Sequence, residues 1–253
     1  MSERPIALRL SGVALCYRLA KQRIPSFKEY AISWLKGSLS YEELWALRGI
    51  DLVVSRGERV GIIGRNGAGK STLLTVISGV LRPTRGEVEV SGRVAAILEL
   101  GTGFDWELTG IENIFLNALL LGRTRAEIRE RLESIVEFSE LGDFIRSPIR
   151  SYSSGMIARL GFAVATAWVP EVLLLDEVFA VGDVRFLQRC QERLLALREQ
   201  GTTMILVSHS PDVLEKSCDR AVWLDRGEVR ADGSVSEVVA SYLEGAAERS
   251  GVG

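Results

Sequence analysis

The stretch GIIGRNGAGKST, Gly61 to Thr72, decides the fold. Its residues 64 to 71 satisfy G-x-x-x-x-G-K-S, a pattern that average residue frequencies produce by chance in about one chain in a hundred of this length. Just upstream, RVGIIG is a short apolar run ending in glycine, the pattern of a buried strand entering a turn. Just downstream, KSTLLTVISGVL has helical periodicity, with Leu73, Leu74 and Ile77 on one face and Gly79 as a stop. Strand, glycine loop and helix in that order make a phosphate cradle. Glycines let the main chain approach the phosphates and aim its N–H groups at them. Lys70 is expected to reach the β- and γ-phosphates, the Ser71 hydroxyl to bind Mg²⁺, and the helix start to add its positive dipole end. Gly64, Asn66, Gly67, Gly69, Lys70, Ser71 and Thr72 are therefore the nucleotide-binding candidates, for a nucleoside triphosphate with Mg²⁺.

Working outward, EVLLLDEVFA and TTMILVSHS are strand-length apolar runs that end in polar residues. Runs without alternation suit parallel strands covered on both faces, and their alternation with helices predicts an α/β parallel sheet. EVEVSGRVAAILEL reads as two short strands around a Ser-Gly turn, and residues 108 to 168 read as mostly helical. Asp176 and Glu177 close the LLLDE strand. Asp176 is placed to hold the metal through water, Glu177 to polarise the attacking water. His209, the chain's one histidine, follows MILVS and so belongs at a strand's carboxyl end, where α/β sheets bind ligands; it is read as a sensor of the γ-phosphate.

Composition narrows the class. With 47% hydrophobic and 25% charged residues, the 253-residue chain has the makeup of a soluble globular protein. Its net charge of −2 argues against a general nucleic-acid binder. Cys16, Cys190 and Cys218 are far apart and lack metal-ligand spacing, which suits reduced thiols in a cytoplasm. MSERPIALRL lacks the apolar core of a signal peptide, and LGFAVATAWVP is too short to span a bilayer, so a membrane role must be borrowed from a partner.

The ordered motifs GRNGAGKST, YSSGM (152–156), LLLDE, AVGD (180–183) and VSH (207–209) resemble those of ABC transporter ATPase subunits. The resemblance covers residues 6 to 17 and roughly 44 to 245. It implies a P-loop NTPase fold with a mainly parallel core sheet, an antiparallel β subdomain and a helical subdomain. The implied layout is one nucleotide-binding domain over 1–253, with 1–98 and 160–253 as the core and 99–159 as the helical part. It further implies a head-to-tail homodimer, with Ser153, Ser154 and Gly155 of one chain closing on the ATP held by the other, and Asp183 at the seam. Tyr17 is the implied adenine-stacking ring, with Trp45 as a rival. Three departures stand out: Glu99 and Leu100 replace the usual glutamine, Ser154 replaces the signature's second glycine, and Met156 its glutamine.

LELGTGFDWELTGIENI, RSYSSGMIARLGFAVAT and VFAVGDVRFLQRC are similar to ATPases that export O-antigen, capsular polysaccharide or teichoic acid on a lipid carrier. That likeness implies an ATP-hydrolysing exporter subunit, peripheral on the cytoplasmic face of the cytoplasmic membrane beneath a separate permease. A drug or small-lipid exporter subunit is the nearest rival, and a non-transport ABC ATPase a more distant one. The chain ends shortly after the expected cassette, so it is expected to be the form without an added carbohydrate-binding domain. Residues 18–44 form an insertion, in which PSFKEYAISWLKG predicts a short helix. Ser26 and Glu29 make a capping box, and Phe27, Tyr30, Ala31, Trp34 and Leu35 form an apolar face. Arg18, Lys21, Arg23, Lys28 and Lys36 flank it. They suit an anionic membrane surface or the carrier's phosphate, while a helix packed on its own domain is the alternative.

Overall fold

A computed structural model describes residues 5–20, 41–97, 103–176 and 184–250, with side chains except at 20, 184 and 246–250. The strand that feeds the glycine loop, β3 (Arg59–Ile63), lies in the middle of a six-stranded sheet. Counting strands along the chain, β1 spans Ile6–Ala20, β2 Tyr41–Ser55, β4 Arg85–Val90, β5 Val94–Ile97 and β6 Val172–Asp176. β7 spans Thr203–Val207, β8 Arg220–Asp225 and β9 Glu228–Gly233. The large sheet has the order β5-β6-β7-β3-β8-β9 and is parallel except for the β8–β9 hairpin at its edge. A second, antiparallel sheet has the order β2-β1-β4.

The uninterrupted apolar runs have a direct physical reason. Successive side chains of a strand point to opposite faces. On β6, Val172 and Leu174 enter the core shared with the antiparallel sheet, whereas Leu173 and Leu175 enter the core under the helices. On β7, Ile205 and Val207 go one way, Met204 and Leu206 the other. A sheet covered on both faces needs an apolar residue at every position. Each fully buried leucine there is worth roughly 1.5–3 kcal/mol over an exposed one.

The helices start where their local chemistry says they should. The helix α1 (Lys70–Ile77) follows the glycine loop and ends before Gly79, as its periodicity predicts. α2 (Gly110–Leu120) and α3 (Arg125–Ser139) each open with a capping box. Thr109 and Thr124 accept from the N–H groups of Glu112 and Glu127, whose carboxylates accept in return from the Thr109 and Thr124 amides. Those hydrogen bonds hold both carboxyls below the usual glutamate range. Two short 3₁₀ turns, Gly142–Arg146 and Ile149–Ser151, lead to α4 (Ser154–Ala165). α5 (Val184–Glu199), α6 (Pro211–Ser217) and α7 (Val235–Ser250) complete the chain. No helix among the described residues is long and apolar enough to cross a membrane.

The structure adds detail at two places. Residues on either side of Ser91-Gly92 are strands as expected, but they belong to different sheets: β4 pairs with β1 and β5 with β6. The turn therefore carries the chain from one sheet to the other, tied down where the Arg93 amide donates to Glu171 Oε2 at 2.9 Å. The ends of the 18–44 insertion are strand. Arg18, Leu19 and Ala20 pair with Glu43, Glu42 and Tyr41, so the β1–β2 ribbon extends into it from both ends. The remainder, with the expected helix at 27–36 and its Lys21, Arg23, Lys28 and Lys36, lies outside the described residues.

Candidate nucleotide site

The glycine loop has its shape because of what surrounds it. Gly69 sits at φ +103°, outside the reach of ordinary residues, and a Cβ there would lie 2.6 Å from the Ala46 carbonyl. A Cβ on Gly64 would run into the carbonyl of Leu224. The loop is also bonded to the β8–β9 turn and to β2. The Gly227 amide donates to Ala68 O at 2.9 Å, and the Arg48 amide to Gly227 O at 2.8 Å. This buttress is absent from the sequence reading, although the Asp-Arg-Gly turn between the apolar run AVWLD and EVRADG was a legible signal.

Lys70 is 7% exposed and its Nζ donates to the carbonyls of Gly64 at 2.8 Å and Arg65 at 3.1 Å, closing the loop into a ring. α1 differs from its neighbours in its first turn: it has no side-chain cap and no acidic residue there. α2, α3 and α4 all carry side-chain caps. Uncapped N–H groups at a helix start, beside a buried ammonium, make a site for an anion. Asn66 and Gly67 are exposed at the loop's outer edge, Ser71 is exposed and Thr72 half-buried behind it. The Ser71 hydroxyl is a hard oxygen ligand of the kind Mg²⁺ takes, so the donor set fits that ion.

The strand register brings the other candidates to the same edge. Val207 lies opposite both Ile62 of β3 and Asp176 of β6, so the carboxyl ends of these three strands are neighbours. Asp176 is half-buried at the end of β6, and His209 is exposed two residues past Val207. Buried Ser208 holds the turn between them and α6. Its amide donates to Ile62 O at 3.2 Å, and its Oγ accepts from the Ser210 amide at 3.1 Å. Gly64 to Thr72, Asp176 and His209 thus gather at one end of the sheet. Glu177, Asp183 and Glu99 lie outside the described residues.

The YSSGM segment belongs to a different part of the surface. Tyr152 is buried, and its hydroxyl donates to Phe144 O at 2.6 Å; burial pushes its phenol up. That anchor leaves Ser153 and Ser154 exposed and Gly155 half-buried. Ser153 caps α4, its Oγ accepting from the Met156 amide at 3.2 Å. Ser153, Gly155, Met156, Glu140 and Arg159 line an open cleft that includes no residue of the glycine loop.

Tyr17 and Trp45 stand on opposite faces of the β1–β2 ribbon, because Tyr17 is in register with Leu44 and Trp45 with Cys16. Tyr17 packs partly buried against the core between the sheets. The Trp45 ring lies under the Arg85 guanidinium, 5.2 Å from its centroid. The loop's approach to the Ala46 carbonyl brings this part of the ribbon's backbone to the start of α1.

The fold and this end of the sheet define a P-loop nucleotide-binding cassette, a helix start and glycine loop built to hold phosphates. Residues 47–180 match the model of the ABC transporter family, and the chain belongs to that family. It is 45% identical over 249 residues to the O-antigen export system ATP-binding protein RfbB of Myxococcus xanthus, covering 96% of this chain and 57% of that protein. It is 41% identical over 240 residues to the teichoic acids export ATP-binding protein TagH of Enterococcus faecalis, covering 95% of this chain and 53% of that one. The chain thus spans somewhat over half the length of these two relatives. Among solved structures, a dimeric post-hydrolysis state of the ATP-binding cassette MJ0796 bound to ADP and Pi superposes with a TM-score of 0.73 at 23% identity. It covers 90% of this chain and 98% of its own, a likeness of fold.

Proposed function

We propose that the chain is the ATP-hydrolysing subunit of an exporter that moves a lipid-linked polysaccharide across the cytoplasmic membrane. One observation carries the polymer reading: relatives at 45% and 41% identity, each aligned over nearly all of this chain, are named for exporting O-antigen and teichoic acids. What the two share is a bacterial cell-surface polymer. The chain acts as one cassette, 1–98 and 160–253 forming the core and 99–159 the helical arm. It is peripheral on the cytoplasmic face, beneath a separate transmembrane subunit, and works as a head-to-tail pair.

Lys70 and the α1 N–H groups bind the phosphates and hold them in line. Ser71 and Asp176 would hold Mg²⁺, which would supply positive charge to offset that of the phosphates. Glu177 takes a proton from the attacking water, and His209 contacts the γ-phosphate from the neighbouring strand end. Ser153, Ser154 and Gly155 complete the site across the dimer; the cleft that Ser153 and Gly155 line, separate from the glycine loop, supports that division. Tyr17, or Trp45 on the ribbon's other face, stacks on adenine.

The test is Glu177→Gln in the cell of origin. Losing a general base costs at least ~10²-fold in turnover. Surface polysaccharide is expected to disappear while its lipid-linked precursor accumulates inside. A cell that loses drug or small-lipid export instead, with its surface polymer intact, would refute the reading.

A further inference from the structure

The turn after α3 holds a residue in an uncommon conformation. Glu140 has φ +53°, one of two non-glycine residues with positive φ among those described; the other, Arg226, is in the β8–β9 hairpin turn. A bulky residue in that region marks a place where the surroundings dictate the backbone. Here the surroundings are two helices. Glu140 Oε2 accepts from Arg159 of α4 at 2.9 Å, and Oε1 accepts from Arg189 of α5. Each carboxylate oxygen thus serves a different helix.

Beneath the carboxylate the same arginines rest on aromatic faces. The Arg159 guanidinium lies 4.8 Å from the Phe186 centroid, and those of Arg189 and Arg193 lie 4.8 and 4.6 Å from Phe138. Phe138, Phe162 and Phe186, one each from α3, α4 and α5, pack together at 5.8 to 6.4 Å between centroids. Three positive side chains therefore lie on two of these rings, and two of the three share one carboxylate. Burial, and then Arg131 and Arg189, hold Arg193 below the ordinary arginine range. Taking away the negative charge would leave the arginines to repel one another.

The two helices joined in this way lead to different places. α4 opens at Ser153, and Glu140 and Arg159 line the same cleft as Ser153 and Gly155. α5 begins at Val184, directly after the segment that carries Glu177 and Asp183. In a head-to-tail pair, YSSGM serves the partner's ATP and Glu177 serves the chain's own.

We propose that Glu140 is a positioning residue for ATP hydrolysis, its carboxylate locking the YSSGM helix to the helix that leaves the Glu177 segment and so linking the two ATP sites of the dimer. This rests on the reading of Ser153 and Glu177 given above. Glu140 touches neither nucleotide nor water in this role; it sets the angle between the helix capped by Ser153 and the helix that follows the Glu177 segment.

The test compares the full-length wild-type chain with Glu140→Gln, Arg189→Met and the double variant, in steady-state ATPase assays with fluorescent-nucleotide titrations. Glu140→Gln keeps the side chain's shape and removes its charge. Its kcat is expected to fall about tenfold or more, the scale of a small misplacement of reacting groups. KM should stay within about twofold and the nucleotide stoichiometry should be unchanged. The double variant should be no slower than the slower single one, because one linkage is cut in each. Normal kcat for Glu140→Gln, additive losses, or a rate that falls in step with binding stoichiometry would overturn the lock. Glu177→Gln in the same assay separates the two claims: normal turnover there sinks the site reading instead.

Discussion

Ser153 is assigned two jobs that substitution can separate. It caps α4, and in the proposed dimer it would face the partner's nucleotide. The cap bond from the Met156 amide is 3.2 Å long and exposed, at the far end of the normal range. Removing a serine cap typically costs ~1 kcal/mol within a range of about 0.5–2, and the long exposed bond belongs in the lower half, about 0.5–1 kcal/mol. For a chain of this size that is a melting shift of roughly 1–4 °C. Ser153→Ala is expected to melt lower by that amount. Ser153→Asp keeps an oxygen that can accept from the same amide and places a negative charge favourably at the helix start, so its melting point should match or exceed wild type. In the proposed dimer the same charge would face the ATP phosphates, and turnover should be lost. Differential scanning fluorimetry and phosphate release from one preparation read both effects. If Ser153→Asp melts normally and hydrolyses ATP normally, the residue is a cap and nothing more. If it melts as low as Ser153→Ala, the capping argument is wrong.

Gly64→Ala should weaken ATP binding at least tenfold, since its Cβ meets the Leu224 carbonyl and the loop must move. The overpacking should also cost about 1–3 kcal/mol of stability, and nucleotide titration beside thermal melting checks both. The thiols of Cys190 and Cys218 are each pushed up to about 12 by burial, leaving little thiolate at pH 8. A thiol reagent at that pH should modify Cys16 alone in the native chain and all three after denaturation.

The nucleotide loop was legible because its chemistry is contiguous. Glycine, lysine and serine at fixed spacing, after an apolar run and before a 3.6-residue period, need no distant partner to be recognised. The same holds for α1, for the helices between 108 and 168, and for β3, β6 and β7, whose unbroken apolar runs reflect burial on both faces. Glu140 was not legible, because its partners are 19 and 49 residues away, and nothing local distinguishes it from any other glutamate near a helix end.

What the sequence by itself determined was the type of β3, β6 and β7, of α1 and of the helices between 108 and 168, and which residues carry phosphate-binding chemistry, since both follow from local periodicity and side-chain chemistry. Only the tertiary structure decided which sheet β4 and β5 join, that the β8–β9 turn props the glycine loop, and which faces Tyr17 and Trp45 occupy. The reason is register. Pairing between distant strands is set by how two cores fill at once, and a shift of one residue turns every side chain to the opposite face.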